Sequence, residues 1–348
     1  MSTDDFPPQP PSPLPLMELS TGFWAFKTLA AAHELGLFAG LDELGSATVP
    51  QVAAKLEIAD RPARMLLTGC AALGLLETGD GGAFANSALA AAYLVPSRPY
   101  YFGGWVRILD RRLYPGWGRL TEALRTNAPT TWDPRTQESL FSGEDPALLE
   151  TFWQAMHSLS SSTARRLARA AGLGSYRRLL DVGGGSGAYA IELCRAHPSL
   201  RATVFDLPHV CPIAAAHAAE AGLGERIAVH PGDFLNDASL PPGHDLILLS
   251  MVLHDWDEPT GRALLTKCHA ALPPGGAVVI SELMVDDDRS GPVAAALMGL
   301  NMLVETVGGE NYTAAEYSRW LTGTGFQQPR TVLLDAPGAN QALVAVRS

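Results

Sequence analysis

One nine-residue stretch limits the fold of this chain more than any other: Leu179-Leu180-Asp181-Val182-Gly183-Gly184-Gly185-Ser186-Gly187. Residues suited to a short buried strand run into a glycine turn, and a helix is expected to begin near Ala188. Glycine serves such a turn in two ways. It takes positive φ without a Cβ clash, and it lets a ligand rest directly on the backbone. The helix behind the turn offers unpaired N–H groups and a partial positive charge, which suit the polar end of a nucleotide-like ligand. Gly183, Gly185 and Ala188 fit the dinucleotide spacing G-x-G-x-x-G/A, so the turn alone leaves a nicotinamide cofactor open.

The segments around the turn set the fold class. From Leu173 onward strand-like and helix-like stretches alternate, the pattern of a doubly wound parallel sheet. Strands are expected at 179–182, 202–206, 227–230, 245–250 and 277–282, each with an acidic or polar residue near its carboxyl end, where open α/β sheets bind ligands. The closing segments 331–335 and 341–346 flank Pro337-Gly338 and read as a hairpin, so one terminal strand must run antiparallel to the rest.

A chain of 348 residues exceeds one hydrophobic core, and a second domain is expected ahead of the sheet. Residues 1–15 are rich in Pro, Ser and Asp, with neither a basic nor an apolar region, and read as a disordered tail and not as a signal peptide. Residues 16–99 form a helical module. Its first run, from Phe23 to Leu35, is apolar on nearly every side, which predicts a buried helix, often one packed against a second subunit, closed by Gly36. Thr48 is placed to cap the next helix, a further one runs from about Arg61 to Leu73, and Leu75 to Gly82 reads as a strand and hairpin turn. This winged-helix outline has only Arg61 and Arg64 as cations on its candidate recognition segment. With a net charge of −11, nucleic acid and anionic membrane are poor partners, and a dimerisation module is the better reading. No apolar run reaches the roughly 18–20 residues that span a bilayer. Residues 100–172 read as helical linking structure that contributes to the dimer and the substrate pocket. Met156 and His157, on a stripe beginning at Phe152, are placed at the pocket wall, with His157 a hydrogen-bonded structural histidine. Four cysteines without CxxC spacing argue against a zinc knuckle or a disulfide framework and point to a reducing cytoplasm.

Asp206 ends the second strand about where a ribose-binding acid belongs, and suits NAD and S-adenosylmethionine alike. Asp233-Phe234, after the third strand, sets a carboxylate and a ring where they can address adenine. Asp181 and the antiparallel closing hairpin favour the methyl donor. Together these features resemble the class I methyltransferase fold. The segment Ser250-Met251-Val252-Leu253-His254-Asp255-Trp256-Asp257-Glu258 narrows the resemblance to the acetylserotonin/caffeic acid-type (plant-type) O-methyltransferases and their bacterial natural-product relatives. The glycine turn, Phe205-Asp206-Leu207-Pro208, Gly232-Asp233-Phe234, His254-Asp255-Trp256 and Glu282 all match, and the likeness covers nearly the whole chain.

That resemblance implies a doubly wound, Rossmann-like S-adenosylmethionine domain over 173–348, behind an N-terminal, all-α, winged-helix-like domain through which the chain forms a homodimer. S-adenosylmethionine is the implied cofactor, S-adenosylhomocysteine its product, and a small molecule the acceptor. The cofactor contacts are Asp181, Gly183, Gly185, Asp206, Leu207, Asp233, Phe234 and Ser250. His254 is the implied general base. A phenol with pKa about 10 is mostly protonated at neutral pH, and an imidazole with pKa about 6.5 is suited to take its proton. Glu282 would orient that ring, and no metal is needed. Two positions depart from the family pattern. Asn311, in Gly308-Gly309-Glu310-Asn311, stands where a second orienting glutamate is usual, and Ser250 stands where many members have lysine. Asp255, Asn301 and Met302 are placed in the acceptor pocket, and Asp286-Asp287-Asp288 reads as a solvated loop. Other chemistries known among relatives are C-methylation of an α-keto acid and non-methylating reactions. The first uses a metal held partly by a histidine near Thr306, and this sequence has none after His269; the second typically follows loss of the histidine retained here as His254.

Overall fold

The computed structural model describes residues 11–98, 100–137 and 146–348. The chain divides into two compact units, Met1–Asp110 and Arg111–Ser348. The smaller contains α1 (Leu14–Glu34), α2 (Leu37–Leu44), α3 (Val49–Lys55), α4 (Asp60–Ala72), the strands β1 (Leu76–Thr78) and β2 (Phe84–Asn86), and the short helices α5 (Ala88–Tyr93) and α6 (Gly103–Ile108). The first ten residues of the expected tail lie outside the described residues. Helix α1 begins at Leu14, ahead of the expected start, because Pro13 and Pro15 fall at its cap and first turn, where no backbone N–H is needed. The burial expected for this helix, often against a second subunit, is only partial in one chain. Within one chain only Ala30 and Ala32 of α1 are buried, while Leu16, Met17, Leu19, Phe23 and Trp24 are exposed. Gly36, at φ +74°, ends the helix as expected. The core of this unit gathers Phe38, Leu41, Val52, Leu67, Cys70 and Leu76, with β1 and β2 paired antiparallel at its edge.

The larger unit is built on a seven-stranded sheet. Helices α7 (Tyr114–Trp117), α8 (Leu120–Thr126) and α9 (Pro146–Ala170) lead into β3 (Arg178–Val182), α10 (Ala188–Ala196), β4 (Arg201–Asp206), α11 (Cys211–Glu220), β5 (Ile227–Pro231) and β6 (Leu246–Ser250). Next come α12 (Glu258–Ala271), β7 (Ala277–Glu282), α13 (Val293–Glu305), α14 (Ala314–Gly323), β8 (Arg330–Ala336) and β9 (Ala339–Val346). The strand order is β5-β4-β3-β6-β7-β9-β8. The first five strands pair in parallel, and β9 runs antiparallel between β7 and β8, as the closing hairpin required.

Side chains alternate across the sheet. Leu179, Leu246, Leu248 and Val279 pack under α9, α10 and α11, whereas Leu180, Ile247, Leu249 and Val278 face α12 and α14. Both faces are covered, which is why these strands read as continuous apolar runs. The chain reverses its direction of travel across the sheet between β3 and β6. A crevice opens beyond the carboxyl ends of strands at such a switch point, and the glycine turn and the His254 segment follow these two strands.

Candidate active site

The glycine turn is shaped for close approach. Gly183, Gly185 and Gly187 have φ of +66°, +56° and +76°. A Cβ on Gly183 would meet Val252 at 2.9 Å, and one on Gly185 would lie 2.6 Å from the Trp153 ring. Trp153, on α9, therefore covers the turn; the apolar stripe from Phe152 to His157 was the sequence signal for it. Asp206, at the end of β4, grips the same turn. Its Oδ2 accepts from Gly185 N and its Oδ1 from Leu207 N, both at 2.7 Å. Burial raises the Asp206 pKa despite these two bonds. Asp181 is buried deeper. Burial pushes its pKa up to about 7, and its Oδ2 has no protein hydrogen-bond partner. A positive-φ glycine turn gripped by a buried acid, with an orphaned buried carboxyl oxygen beside it, fits a nucleoside cofactor bearing a charged amino-acid tail.

After β5, Asp233 and Phe234 stand at the edge of this turn. Phe234 Cε1 lies 3.7 Å from the position a Gly183 Cβ would take, and its ring packs edge-on to Trp256 with centroids 6.0 Å apart. Asp233 shapes its own loop, accepting from Leu235 N at 2.8 Å and Asn236 Nδ2 at 2.7 Å.

His254 sits in a helical turn (Leu253–Asp255) directly beyond β6. It is 4% exposed, and its Nδ1 donates to Glu282 Oε2 across 2.6 Å. Glu282, the last residue of β7, is fully buried; its other oxygen accepts from Val252 N (2.9 Å) and Leu253 N (3.0 Å). One carboxylate thus holds the turn and the ring together. Because Glu282 is an acceptor, the hydrogen of the neutral imidazole resides on Nδ1 and the lone pair on Nε2. Asp255 Oδ1 lies 3.5 Å from that Nε2. Burial opposes charging the ring, but the Glu282 and Asp255 carboxylates outweigh it and push the His254 pKa up to about 9. Burial also raises Asp255, to about 6, against the pull of His254.

Asn311 does not reach His254. Its Nδ2 donates to Leu283 O at 2.6 Å, and its Oδ1 is buried without a partner. The second carboxylate at the base comes instead from Asp255, the residue next to the ring. The loop carrying Asn311 nevertheless approaches closely, since a Cβ on Gly309 would lie 2.4 Å from His254 O. Ser250, two residues beyond Leu248, shares that residue's face; its hydroxyl and that of its cross-strand neighbour Ser281 are buried beside the Tyr189 hydroxyl. The tripled aspartate shapes a loop, with Asp288 Oδ1 accepting from Ser290 N and Oγ. Helix α13 carries Asn301 and Met302, both buried. Asn301 Oδ1 accepts from Trp117 Nε1 at 2.8 Å, and Arg112 Nε donates to Glu305 at 3.2 Å. His157 bonds the Ser186 hydroxyl at 2.9 Å and lies 4.2 Å from the His217 ring. Burial, with His217 and Arg195 nearby, lowers its pKa to about 4, so it is neutral at physiological pH. Met156 is half-buried on the same helix.

A seven-stranded sheet of this order, with the glycine turn and a carboxylate-held histidine at its switch point, has the class I methyltransferase fold. The chain belongs to the O-methyltransferase family: residues 117–327 match the O-methyltransferase domain and residues 17–96 the O-methyltransferase dimerisation domain. It is 52% identical over 98% of its length, and 97% of the relative's, to a 3-hydroxy-5-methyl-1-naphthoate 3-O-methyltransferase of Streptomyces sahachiroi. It is 33% identical to an L-tyrosine C(3)-methyltransferase of Streptomyces lavendulae, over 95% and 92% of the two chains. Among solved structures it resembles human N-acetylserotonin methyltransferase in complex with S-adenosylmethionine, with a TM-score of 0.87, 31% identity and full coverage of both chains. The protein is an S-adenosylmethionine-dependent O-methyltransferase. Among the described residues no helix is long and apolar enough to cross a membrane.

Proposed function

We propose that this enzyme methylates a hydroxyl of an aromatic or polyketide-like small molecule, with His254 as general base. The observation that carries the reading is the 2.6 Å bond between His254 Nδ1 and Glu282, which leaves Nε2 as the basic atom. Asp181, Gly183, Gly185, Asp206 and Leu207 hold the cofactor along the glycine turn, and Asp233 and Phe234 hold its adenine side. When bound, S-adenosylmethionine supplies an electrophilic methyl on a sulfonium. Nε2 takes the acceptor's proton, and Glu282 and Asp255 stabilise the resulting imidazolium. The two carboxylates raise the basicity of the imidazole, which favours proton transfer from a phenol. Met156, His157, Asp255, Asn301 and Met302 form the acceptor side, where fixed orientation supplies much of the remaining acceleration.

The 52% identical relative acts on a hydroxynaphthoate, which supports an aromatic hydroxyl as acceptor. The tyrosine C-methyltransferase, at 33%, shows that family likeness alone does not fix the acceptor atom. A reducing cytoplasm suits the four buried cysteines, all free thiols. The test is a transfer assay with methyl-labelled cofactor over hydroxynaphthoates, hydroxyquinones, simple phenols and α-keto acids. The expected product is a methyl ether; label appearing only on the carbon of a keto acid would overturn the reading.

A further inference from the structure

We propose that Lys267 is the positioning residue of the cofactor's adenine side, an inference that rests on the assignment of Asp233 and Phe234 above. Lys267 lies on α12, next to the fully buried Cys268. Its ammonium reaches across to the loop after β5 and donates to three backbone carbonyls: Phe234 O and Asp237 O at 2.7 Å, and Leu235 O at 3.2 Å. An ammonium has three hydrogens, and three acceptors use all of them. Lys267 makes no ion pair with the described residues, so its charge is committed to this carbonyl cage.

The loop is otherwise bonded mainly to itself. Asp237 N donates to Asp233 O at 2.7 Å, Asp233 N to Asp237 Oδ2 at 2.9 Å, and both Asp233 oxygens stay within the loop. Gly232 N donates to Asp206 O at its base, across 2.9 Å, and a Cβ on Gly232 would overlap Phe205 and Asp237. Among the described residues, Gly232 N and Lys267 supply the hydrogen bonds that tie the segment to the rest of the unit. One of the three caged carbonyls belongs to Phe234 itself, the residue whose ring stands against Gly183. Lys267 therefore sets where that ring and the Asp233 backbone lie relative to the glycine turn, without itself lining the cradle.

The loss of Lys267 is thus expected to weaken cofactor binding and leave the chemistry intact. In Lys267→Met, the dissociation constant for S-adenosylhomocysteine by calorimetry and the KM for S-adenosylmethionine should both rise about tenfold. The kcat at saturation and the KM of the acceptor should stay within about twofold. Lys267→Arg, which restores charge and donors, should recover part of the affinity. Val332→Ala, on the remote strand β8, serves as a control that lowers Tm without moving the cofactor KM. If Lys267→Met does not yield folded protein, Lys267→Gln is read in its place. Unchanged S-adenosylhomocysteine affinity in a folded Lys267 variant, or losses that follow Tm alike in it and in Val332→Ala, would overturn the inference. Phe234→Ala separates the two levels. If it leaves affinity intact, the adenine assignment fails and takes this inference with it; if it weakens binding while Lys267→Met does not, only the role of Lys267 is lost.

Discussion

As the proposed general base, His254 carries the heaviest demand of any single residue, because it must be both rigid and basic. Glu282 meets both needs by fixing the ring through Nδ1 while its second oxygen anchors the turn. Replacing His254 with Ala should lower kcat at least about 10²-fold and leave S-adenosylhomocysteine affinity nearly unchanged, as calorimetry and steady-state rates would report. The pH profile is also set at this scale. The ring is charged below about 9, and only the neutral form accepts a proton, so kcat/KM for the acceptor should climb with pH through an inflection near 9 and level off above it. Asp255→Asn removes one of the two carboxylates that favour the cation, which should move the inflection to lower pH; an inflection that stays or rises would contradict the pairing. The histidine and its glutamate were legible because both fall on motifs of the family the sequence resembles, Glu282 at the end of β7 and His254 in the turn after β6. Asn311 was not, since its partner is the Leu283 carbonyl and no periodicity encodes that contact. Lys267 escaped for a similar reason: a lysine on a helix reads as solvated until the loop it holds is placed.

Among the elements, the link from β3 into α10 is the most exacting. All five parallel strands were readable from their apolar runs, and their ends differ from expectation by a residue or so, since hydrogen bonding and not composition decides where a ladder stops. The glycine turn is stricter. Gly185→Ala places a Cβ at φ +56°, which costs roughly 1–2 kcal/mol, and drives it into a rigid indole. Cofactor affinity should fall at least about tenfold and Tm should drop, and a variant binding S-adenosylhomocysteine normally would show that Trp153 can yield. Helix α1 was harder to delimit. Its proline-rich start mimics an unstructured tail, and only the tolerance of the first turn for proline extends it back to Leu14.

For the whole molecule, the exposed apolar side of α1 and the dimerisation domain belong together. Phe23 and Trp24 are 50% and 62% exposed in one chain, a cost that a monomer in water has no means to offset. The protein should sediment as a dimer at micromolar concentration, and Trp24→Glu should shift it toward monomer; a wild-type monomer would leave that face unexplained. The sequence carried this expectation correctly in kind, but no single chain contains the surface that completes it. The placement of β9 has a further consequence. The outermost strand precedes its inner neighbour along the polypeptide, so β8 is joined to the sheet only through β9. The turn that joins them, Pro337-Gly338, is tied to α9 by Thr163, whose Oγ1 accepts from Gly338 N at 3.1 Å. Any change that loosened this turn would uncover the edge of a strand buried along its whole length and leave it as a template for aggregation.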